Sequence, residues 1–369
     1  MGQEKESSMI KPSTQLIDFV CEAQLPWISY SDERGRLVLV IDNHLLSTYR
    51  ACPQYFMNYA VEGWRKRSEF GPGVEKDWFL DFGILFHKMM EEYYRSFREE
   101  SFTLESFAID SAFKHWDEMG MDQHLSHKEA QEMGGYPGFA GMLIQYAVQF
   151  KAENERLRVV STEIAFGKKH EVPIYEWGGP ESDSPLFCHA DIYLAGRIDI
   201  LADDGIYILP MDHKTMGMFR GDPTIRFHTD DGPTGYVYAM NKILPRIISP
   251  ELILKRQCSK ILMNLISKRV PKEGSRFKRL PLFKSEAMLE AYRQRQIGTV
   301  NNLLSDLDSY VRSLGVQRDS SKCYNWYYKD CAYLDVCRQQ DKAAEQATLK
   351  NGFTKLKIWD TEALNDITE

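Results

Sequence analysis

The sequence predicts an α/β protein, because one segment reads as a β-hairpin and another as a long amphipathic helix. Segment 196–215 contains two short apolar runs on either side of Asp203-Asp204-Gly205. An Asp-Gly pair between such runs is typical of a hairpin turn, since glycine tolerates the positive φ that a tight turn needs. Segment 77–97 has apolar residues at helical spacing and predicts the most regular helix of the chain.

The predicted hairpin brings charged side chains toward one patch. Alternate residues of a strand share a face, so Asp212 and Lys214 project to one side and His213 to the other. Asp199 lies on the partner strand, where the expected register places it near Asp212. Two carboxylates and an amine in this arrangement can hold a divalent metal and stabilise developing negative charge. The alternative is a solvated strand end, although a charge that ends an apolar run needs a partner.

Turn and cap signals predict the remaining elements in chain order. We expect residues 1–12 to be disordered and 15–22 to form a short helix. A strand over 37–41 precedes a helix that Asp42 or Asn43 caps and that Cys52-Pro53 interrupts. The later predictions are a helical region over 103–158 with a break near 134–137, a strand over 159–166, a linker near 178–180, a helix through Tyr236 and Ile243, a strand over 262–266 and a helix over 285–314.

Composition is that of an ordinary globular protein. The chain has 369 residues, 43% of them hydrophobic and 12% aromatic, which at about 150 residues per domain allows two or three domains. No window approaches the roughly 18 apolar residues of a membrane span, and the N-terminus has no signal-peptide core. We therefore expect an intracellular, cytoplasmic protein without a membrane partner. No G-x-x-x-x-G-K-[ST] motif occurs, which excludes an NTPase motor of that type.

The hairpin also carries a family resemblance. The letters GRID at 196–199, a turn, and an apolar strand that ends in DHKT at 212–215 resemble motifs II and III of the RecB-like PD-(D/E)XK nucleases. In that family the first aspartate and the second acid bind metal, and the lysine is catalytic. The resemblance implies a bacterial or phage-infected cell as the setting.

Two further motifs lie in the family's order. Gly83 and His87 share a face of the predicted helix and match motif I, G-x-x-x-H, whose histidine can bind the metal. A single histidine on a helix is otherwise more often structural. Tyr236 matches the tyrosine of the family's Q-x-x-x-Y motif, although Gly232 stands where relatives have glutamine. Glu163, on an otherwise apolar strand, is a candidate for an additional site acid and a further metal ligand.

The resemblance implies a fold and a division of the chain. The implied fold is a PD-(D/E)XK restriction-endonuclease-like core, a mixed sheet flanked by helices, with an N-terminal helical part and a Cys-rich C-terminal closure. The implied division is a disordered N-terminus over 1–12, a mainly helical part over 13–157 that carries Cys52 and the G-x-x-x-H motif, a nuclease core over 158–316, and a Cys-rich segment and tail over 317–369.

The resemblance also implies a reaction. Asp199, Asp212 and His87 would bind Mg²⁺ or Mn²⁺, Lys214 would orient or deprotonate water or stabilise phosphate charge, and Tyr236 would be a further catalytic residue. The expected activity is a metal-dependent deoxyribonuclease, acting as a single-strand or end-dependent exonuclease in DNA repair, recombination or phage DNA processing. A helicase or recombination protein is the implied partner in trans. The alternatives are a structure-selective endonuclease and a non-catalytic DNA-binding or assembly subunit.

The chain has seven cysteines, and three of them, Cys323, Cys331 and Cys337, are closely spaced. In an intracellular chain this spacing suggests a soft-metal site that lacks one ligand. Cys52 lies in a Ser-x-x-x-x-Cys-Pro segment like that of the family's iron–sulfur branch, which includes CRISPR-associated and phage exonuclease-like proteins. The branch implies one [4Fe–4S] cluster on these four thiols, although Tyr328 occupies the usual place of one cysteine. Zinc and a set of buried structural thiols are the alternatives.

The formal net charge is −7, yet segment 255–279 is locally basic. Glu273 is its single acid. The run predicts a track along nucleic-acid phosphates, and a solvated face of a strand and loop is the alternative. The basic residues of the run are Lys255, Arg256, Lys260, Lys268, Arg269, Lys272, Arg276, Lys278 and Arg279, of which Lys268, Arg269, Arg276 and Lys278 are the predicted DNA contacts.

Overall fold

The structure is a computed structural model that describes the chain in segments. The described residues are 12–67, 78–96, 103–121, 135–167, 171–178, 189–217, 219, 222–247, 258–269, 274–319, 321, 323, 330–339 and 341–356. Residues 1–11 of the predicted disordered N-terminus lie outside them, as do 179–180 of the predicted linker and Lys255, Arg256, Lys272 and Tyr328.

The helices and strands are numbered here in chain order. The helices are α1 Thr14–Ala23, α2 Asn43–Ala51, α3 Pro53–Phe56, α4 Trp78–Ser96, α5 Leu104–Glu118, α6 Gly135–Gln149, α7 Lys151–Asn154, α8 Pro223–Thr229, α9 Asp231–Ile247, α10 Glu286–Val311, α11 Leu334–Cys337 and α12 Lys342–Gly352, with a π-helical turn over Met57–Val61. The strands are β1 Ile28–Ser31, β2 Arg36–Ile41, β3 Trp64–Lys66, β4 Arg158–Phe166, β5 Pro173–Tyr175, β6 Ala190–Leu194, β7 Gly196–Asp203, β8 Ile208–Met216, β9 Lys260–Ser267, β10 Phe277–Phe283 and β11 Phe353–Lys355.

The chain divides into two compact units. The first unit comprises Met1–Glu75, Phe166–Gly196 and Glu290–Glu369, and the second comprises Lys76–Ala165 and Arg197–Leu289. Each unit is therefore assembled from segments that are distant in sequence.

The first unit contains a four-stranded sheet in the order β1-β2-β6-β5 and a two-stranded pairing of β3 with β11. The strand expected over 37–41 is β2, and the Asp42 side chain accepts a hydrogen bond from the Leu45 N–H at 2.6 Å, which confirms Asp42 as the cap of α2. The helix breaks between Ala51 and Pro53, also as predicted. Strands β1, β5 and β6 were not predicted from the sequence.

The second unit contains a five-stranded sheet in the order β10-β9-β8-β7-β4. Strand β8 is antiparallel to β7 and parallel to β9, so the sheet is mixed. Buried residues of α4, α5 and α6 form one core with the strands, and Leu85, Phe86 and Met211 are among its fully buried members. This arrangement confirms the predicted α/β class, a mixed sheet flanked by helices.

The predicted hairpin is formed by β7 and β8. Its pairs run from Asp203 opposite Ile208 to Ile200 opposite Met211, and Gly205 adopts a φ of +90° in the turn. The ladder between these strands ends at Ile200 and Met211, whereas β8 continues beside β9 as far as Met216. Beyond Met211, the side chain of Asp199 in β7 contacts the backbone of β8.

The other predicted elements are found within a few residues of their expected bounds. The helices expected over 77–97 and 285–314 are α4 and α10, and the strand expected over 262–266 lies within β9. The helical reading of 103–158 extends too far, because Arg158 begins β4. Among the helices that the structure describes, none combines the length and apolar character needed to cross a bilayer.

Candidate active site

Asp199 lies where the β7–β8 ladder ends. Its Oδ2 accepts a hydrogen bond from the His213 backbone N–H at 2.6 Å and lies 3.4 Å from the His87 Nδ1 of α4. Because a backbone N–H requires an acceptor when it is buried, the carboxylate takes the role that a strand carbonyl would otherwise have. Asp199 thus connects β7 to both β8 and α4.

Asp212 and Lys214 share one face of β8, as predicted. The Lys214 Nζ lies 3.0 Å from the Asp212 Oδ1. The Asp212 side chain is 1% exposed and the Lys214 side chain 43% exposed, so the carboxylate is buried while the amine reaches solvent. The other carboxylate oxygen, Oδ2, is buried and has no hydrogen-bond partner among the described residues. Half of this buried anion is therefore unsatisfied.

The two carboxylates titrate in opposite directions. Burial raises the pKa of Asp212 to about 6; the Lys214 ammonium opposes this increase and the Asp199 charge adds to it. Burial also acts to raise the pKa of Asp199, but attraction to His87, His213 and Lys214 outweighs it and holds that pKa well below its usual value. Asp199 is therefore the ionised member of the pair, and Asp212 is the member whose charge is stabilised less.

The cations respond to the same two acids. Burial acts to lower the pKa of Lys214, but Asp212, Tyr236 and Asp199 raise it above its usual value. The pKa of His87 is also raised, because Asp199 outweighs the effect of burial. Tyr236 is thus close enough to Lys214 to affect its charge. The structure brings the predicted residues His87, Asp199, Asp212, Lys214 and Tyr236 into one electrostatic neighbourhood.

Gly83 lies where α4 comes close to the end of β8. A Cβ built at Gly83 would lie 3.1 Å from the Oγ1 of Thr215, which is tighter than most real contacts. The glycine lets α4 approach the end of β8, and His87 follows one helical turn later on the same face.

Glu163 lies beside this group with unusual backbone geometry. Its φ is +51°, a left-handed value that is uncommon for a residue with a side chain and marks local strain. Arg197 Nη1 pairs with its Oε2 at 3.3 Å. Burial raises the pKa of Glu163 to about 7, and the nearby charge of Asp199 adds to this effect.

Asn264 contacts His213, the residue between Asp212 and Lys214, and Arg279 contacts Asn264; neither contact was predicted from the sequence. Asn264 is fully buried in β9, and its Nδ2 lies 3.1 Å from the His213 Nδ1. Arg279, which the sequence analysis counted in the basic run, is 4% exposed and is bound inside the second unit, so that assignment was wrong. The sequence feature that could have indicated a buried polar contact was Asn264 itself, a polar residue within the apolar run of β9.

The predicted DNA contacts have mixed environments. Lys268 and Lys278 place their ammonium groups 5.0 Å from the ring of Phe82 and 5.1 Å from the ring of Phe219, respectively. Arg269 N–H donates to the Gly217 carbonyl. The Arg276 guanidinium donates to the backbone carbonyls of Ser267 and Lys268, and burial lowers its pKa.

The four predicted cluster cysteines lie in the first unit. Cys52 is buried at the junction of α2 and α3, and the Cys331 N–H donates to the Cys323 carbonyl at 2.8 Å. Burial raises the pKa of Cys337 to about 11; Arg318 opposes this, and Cys331, Cys52 and Cys323 add to it. Burial raises the pKa of Cys331 as well, with contributions from Cys323 and Cys52. Each of these two thiols is thus close enough to Cys52 and Cys323 for their charges to affect its pKa, although the described residues contain no group of three or more metal-binding side chains placed to hold an ion.

The donor chemistry of the acid pair suits a divalent cation. Within the described residues, no group of three or more His, Cys, Asp or Glu side chains is placed to hold a metal ion. The fit rests on the unpaired Oδ2 of Asp212 and on the nearby Asp199. Carboxylate oxygens suit Mg²⁺ and Mn²⁺, and His87 would use its Nε2 because its Nδ1 faces Asp199.

The family is identified by comparison with known proteins. The family model of the PD-(D/E)XK nuclease superfamily matches residues 45–338, so the chain belongs to this superfamily. Its members are generally nucleases that use divalent metals such as Mg²⁺ or Mn²⁺. No curated protein matches the chain. The crystal structure of SSO0001 is similar over 71% of this chain and 98% of its own, with 13% identity and a TM-score of 0.27.

The raised pKa of Asp212 predicts a stability change in Asp212→Asn. The folded pKa of about 6 lies above the usual 3.8, so the folded protein binds this proton more tightly than the unfolded chain does. Stability falls as pH rises from about 4 to about 6 and stays reduced above that range. Asparagine carries no such charge, but it also loses the ion pair with Lys214, so in EDTA at pH 7.5 the variant should gain at most about 1–3 kcal/mol of unfolding free energy, measured by urea denaturation.

The control is Asp203→Asn in the same hairpin. Asp203 is buried but pairs with Arg158 at 2.9 Å, so its replacement should lower stability at pH 7.5. At pH 4 the Asp212→Asn variant and the wild type should differ little. Mg²⁺ or Mn²⁺ should stabilise the wild type more than the Asp212→Asn variant. A loss of stability in Asp212→Asn as large as that in the control would contradict this account.

Proposed function

We propose that the protein is a metal-dependent nuclease that hydrolyses phosphodiester bonds of DNA. The observation that carries the proposal is the Asp212 carboxylate, which is buried, bonded by Lys214 through one oxygen and unsatisfied at the other within the described residues. A buried anion left in this state is costly unless a cation completes it. Superfamily membership supports the same reaction class.

The roles of the acids follow from their environments. Asp199 and Asp212, with His87, would hold Mg²⁺ or Mn²⁺. When bound, such an ion supplies a Lewis acid for the phosphate and lowers the pKa of a water molecule. Asp199 brings a full negative charge because its pKa is lowered, and its bond to the His213 N–H keeps it oriented.

Lys214 acts as a cation in this proposal. Its raised pKa keeps the ammonium protonated at neutral pH, so it is not suited to accept a proton from water. It can instead donate hydrogen bonds to the attacking water or to the phosphate oxygens as negative charge develops. Tyr236 would assist from the same neighbourhood. Glu163, with a pKa of about 7, is the nearby carboxylate best matched to accept a proton near neutral pH.

The expected substrate is DNA that is single-stranded or has a free end. We place the protein in the RecB-like branch, as an exonuclease of DNA repair, recombination or phage DNA processing with a helicase or recombination partner in trans. The ordered motifs at His87, Asp199, Asp212 and Lys214 support this choice. The substitution of Gly232 for the family's glutamine favours the rival, a non-catalytic binding subunit, but the retained acids and lysine argue against it.

The test compares end-labelled linear and circular single-stranded DNA, each with Mg²⁺, Mn²⁺ or EDTA. An exonuclease degrades the linear form and leaves the circle intact in either metal. Cutting of the circle would indicate an endonuclease. The absence of metal-dependent cutting on both forms would reject the nuclease proposal and favour the binding subunit.

We predict that Asp212→Asn and Lys214→Ala each lower the cleavage rate at least ~100-fold, because one removes a metal ligand and the other the cation at the phosphate. Both variants should keep the far-ultraviolet circular dichroism of the wild type. The matched controls are Asp203→Asn and Lys260→Ala in the same unit. Lys260 pairs with Asp204 away from the acid pair, so the controls should retain cleavage. Wild-type rates in either site variant would refute the assignment.

The basic residues at the β9–β10 connection are proposed to contact DNA phosphates. Arg276 already donates to backbone carbonyls there, so replacing it would disturb the connection itself. Lys268, Arg269 and Lys278 are therefore the informative set. Each lost phosphate contact flattens the slope of log binding constant against log salt by roughly 0.7 for single strands.

The triple variant Lys268→Ala, Arg269→Ala, Lys278→Ala should accordingly weaken binding and flatten the salt slope by about 2, measured by fluorescence anisotropy of labelled single-stranded DNA in EDTA. The control variant removes the same formal charge elsewhere in the unit. It replaces Arg95, Lys114 and Lys151. Equal salt slopes in the two triple variants would show that the basic run is a solvated face and does not contact DNA phosphates.

We further propose that Cys52, Cys323, Cys331 and Cys337 hold a soft metal, with a [4Fe–4S] cluster preferred over zinc. Burial raises the pKa of Cys323, Cys331 and Cys337, and the charges of neighbouring thiols add to this effect. A thiophilic metal centre would offset this repulsion between thiolates. It would also join a segment near the start of the first unit to its C-terminal helices and restrict the unfolded chain.

Cys331→Ser should remove the brown colour of anaerobically purified protein and lower the melting temperature, because the cross-link is lost. Cleavage should fall only indirectly, since the acid pair belongs to the second unit. The control is Cys21→Ser, at an exposed cysteine of the first unit, which should keep its iron; Cys258→Ser, in the second unit, should also keep it. Zinc in the wild type, or no bound metal in this unit, would refute the iron–sulfur cluster and leave the nuclease proposal standing.

A further inference from the structure

Arg279 is the centre of a buried polar network in the second unit. Its Nε donates to the Asn264 Oδ1 at 2.8 Å. The other side of the guanidinium donates to the hydroxyls of Tyr94 and Tyr146 at 3.1 and 2.7 Å and to the Asn154 Oδ1 at 2.9 Å. The Arg279 guanidinium also lies 4.1 Å from the ring centroid of Phe150 and pairs with Glu153. Each of the three nitrogens of the Arg279 guanidinium therefore has at least one acceptor.

The hydrogen bonds fix the orientation of the next two side chains. Arginine has only donors, so the oxygen of the Asn264 amide must face Arg279 and its nitrogen must face His213. The amide nitrogen is itself a donor, so the His213 Nδ1, at 3.1 Å, must be the acceptor. His213 is consequently neutral, with its proton on Nε2.

His213 occupies a position that can transmit this constraint. Asn264 and His213 are direct partners in the parallel β8–β9 register. Past Met211 the β7 ladder has ended, so β8 is paired to β9 on one side, and its other side presents the His213 N–H to Asp199. The rotation of the strand about its axis at His213 sets where the neighbouring side chains of Asp212 and Lys214 project.

We propose that Arg279 and Asn264 are positioning residues of the nuclease site, which act through the His213 ring to orient the strand that carries Asp212 and Lys214. The inference rests on the proposed nuclease function. Neither residue touches the acid pair, so the effect is on geometry and not on a reaction step. Supporting residues of this kind typically change activity by 10–100-fold when they are replaced.

The first test needs no enzymatic activity. Selective ¹⁵N labelling of histidine, with His213→Gln to assign the signal, reports which ring nitrogen carries the proton. The wild type in EDTA should show a neutral ring with Nε2 protonated and Nδ1 bare. Asn264→Asp retains the bond to Arg279 but replaces the donor with an acceptor, so the proton should move to Nδ1. A wild-type ring with its proton on Nδ1 would overturn the proposal.

The second test separates positioning from stability. Asn264→Asp should keep the melting temperature within a few degrees, keep KM within about twofold and lower kcat about 10–100-fold. If this variant fails to fold, Arg279→Lys serves instead, because one ammonium cannot bond Asn264 and the tyrosine hydroxyls together. It is compared with Arg158→Lys, which alters the ion pair between the exposed Arg158 and the buried Asp203 in the same unit and should retain kcat.

The outcomes distinguish the two proposals. A shifted proton in Asn264→Asp with kcat within about twofold of the wild type would reject the positioning role while the nuclease proposal stands. A wild type that cuts no DNA would reject the nuclease proposal. In that case hydrogen exchange at the His213 backbone amide would still test the orientation of the strand. Exchange should be at least ~10-fold faster in Asn264→Asp or Arg279→Lys than in Arg158→Lys. Equal exchange rates in these variants would overturn the positioning proposal.

Discussion

The hydrogen bond from the His213 backbone N–H to the Asp199 carboxylate is the constraint on which the site depends. A regular antiparallel ladder would satisfy that N–H with a carbonyl of β7 and would leave the Asp199 side chain without a fixed partner. Here the ladder stops at Ile200 and Met211, and a charged side chain supplies the acceptor instead. Charge-assisted bonds of this kind are shorter and stronger than bonds between neutral groups. The same interaction therefore satisfies the backbone and fixes one of the two acids.

Asp199 in ionised form contributes to the charge state of every other group in the site. It raises the pKa of His87 against the effect of burial, it adds to the larger effect of Asp212 on the pKa of Lys214, and it adds to the effect of burial that raises the pKa of Asp212. Two nearby carboxylates cannot both be ionised cheaply in a buried setting, and their pKa values separate as a result. A divalent cation would reverse this separation, because both carboxylates would then be ionised with a partner.

The parts of this site that sequence reasoning found are local in sequence. Turn chemistry at Gly205 predicted the hairpin, and the alternation of β8 predicted that Asp212 and Lys214 share a face. The contribution of Asn264 was not predictable, since it depends on β8 lying parallel to β9, a long-range pairing that periodicity does not encode. Arg279 was misassigned for the same reason, because a basic residue in a charged run looks solvated until its buried partners are known. In sequence, β1 and β2 precede the helices of the second unit and β5 and β6 follow them, yet these four strands form one sheet of the first unit. Local sequence patterns do not reveal such a long-range pairing.

The contrast between Arg279 and Asp212 argues that the unsatisfied groups of the site are retained for function. Both side chains are charged and almost fully buried in the same unit. The Arg279 guanidinium is surrounded by acceptors, so the fold is able to satisfy a buried ion completely. The Asp212 Oδ2 is left without a hydrogen-bond partner among the described residues, and Glu163 nearby keeps a strained backbone. Departures from local rules that gather at one place are typical of functional sites, where stability is given up for a group that must bind something else.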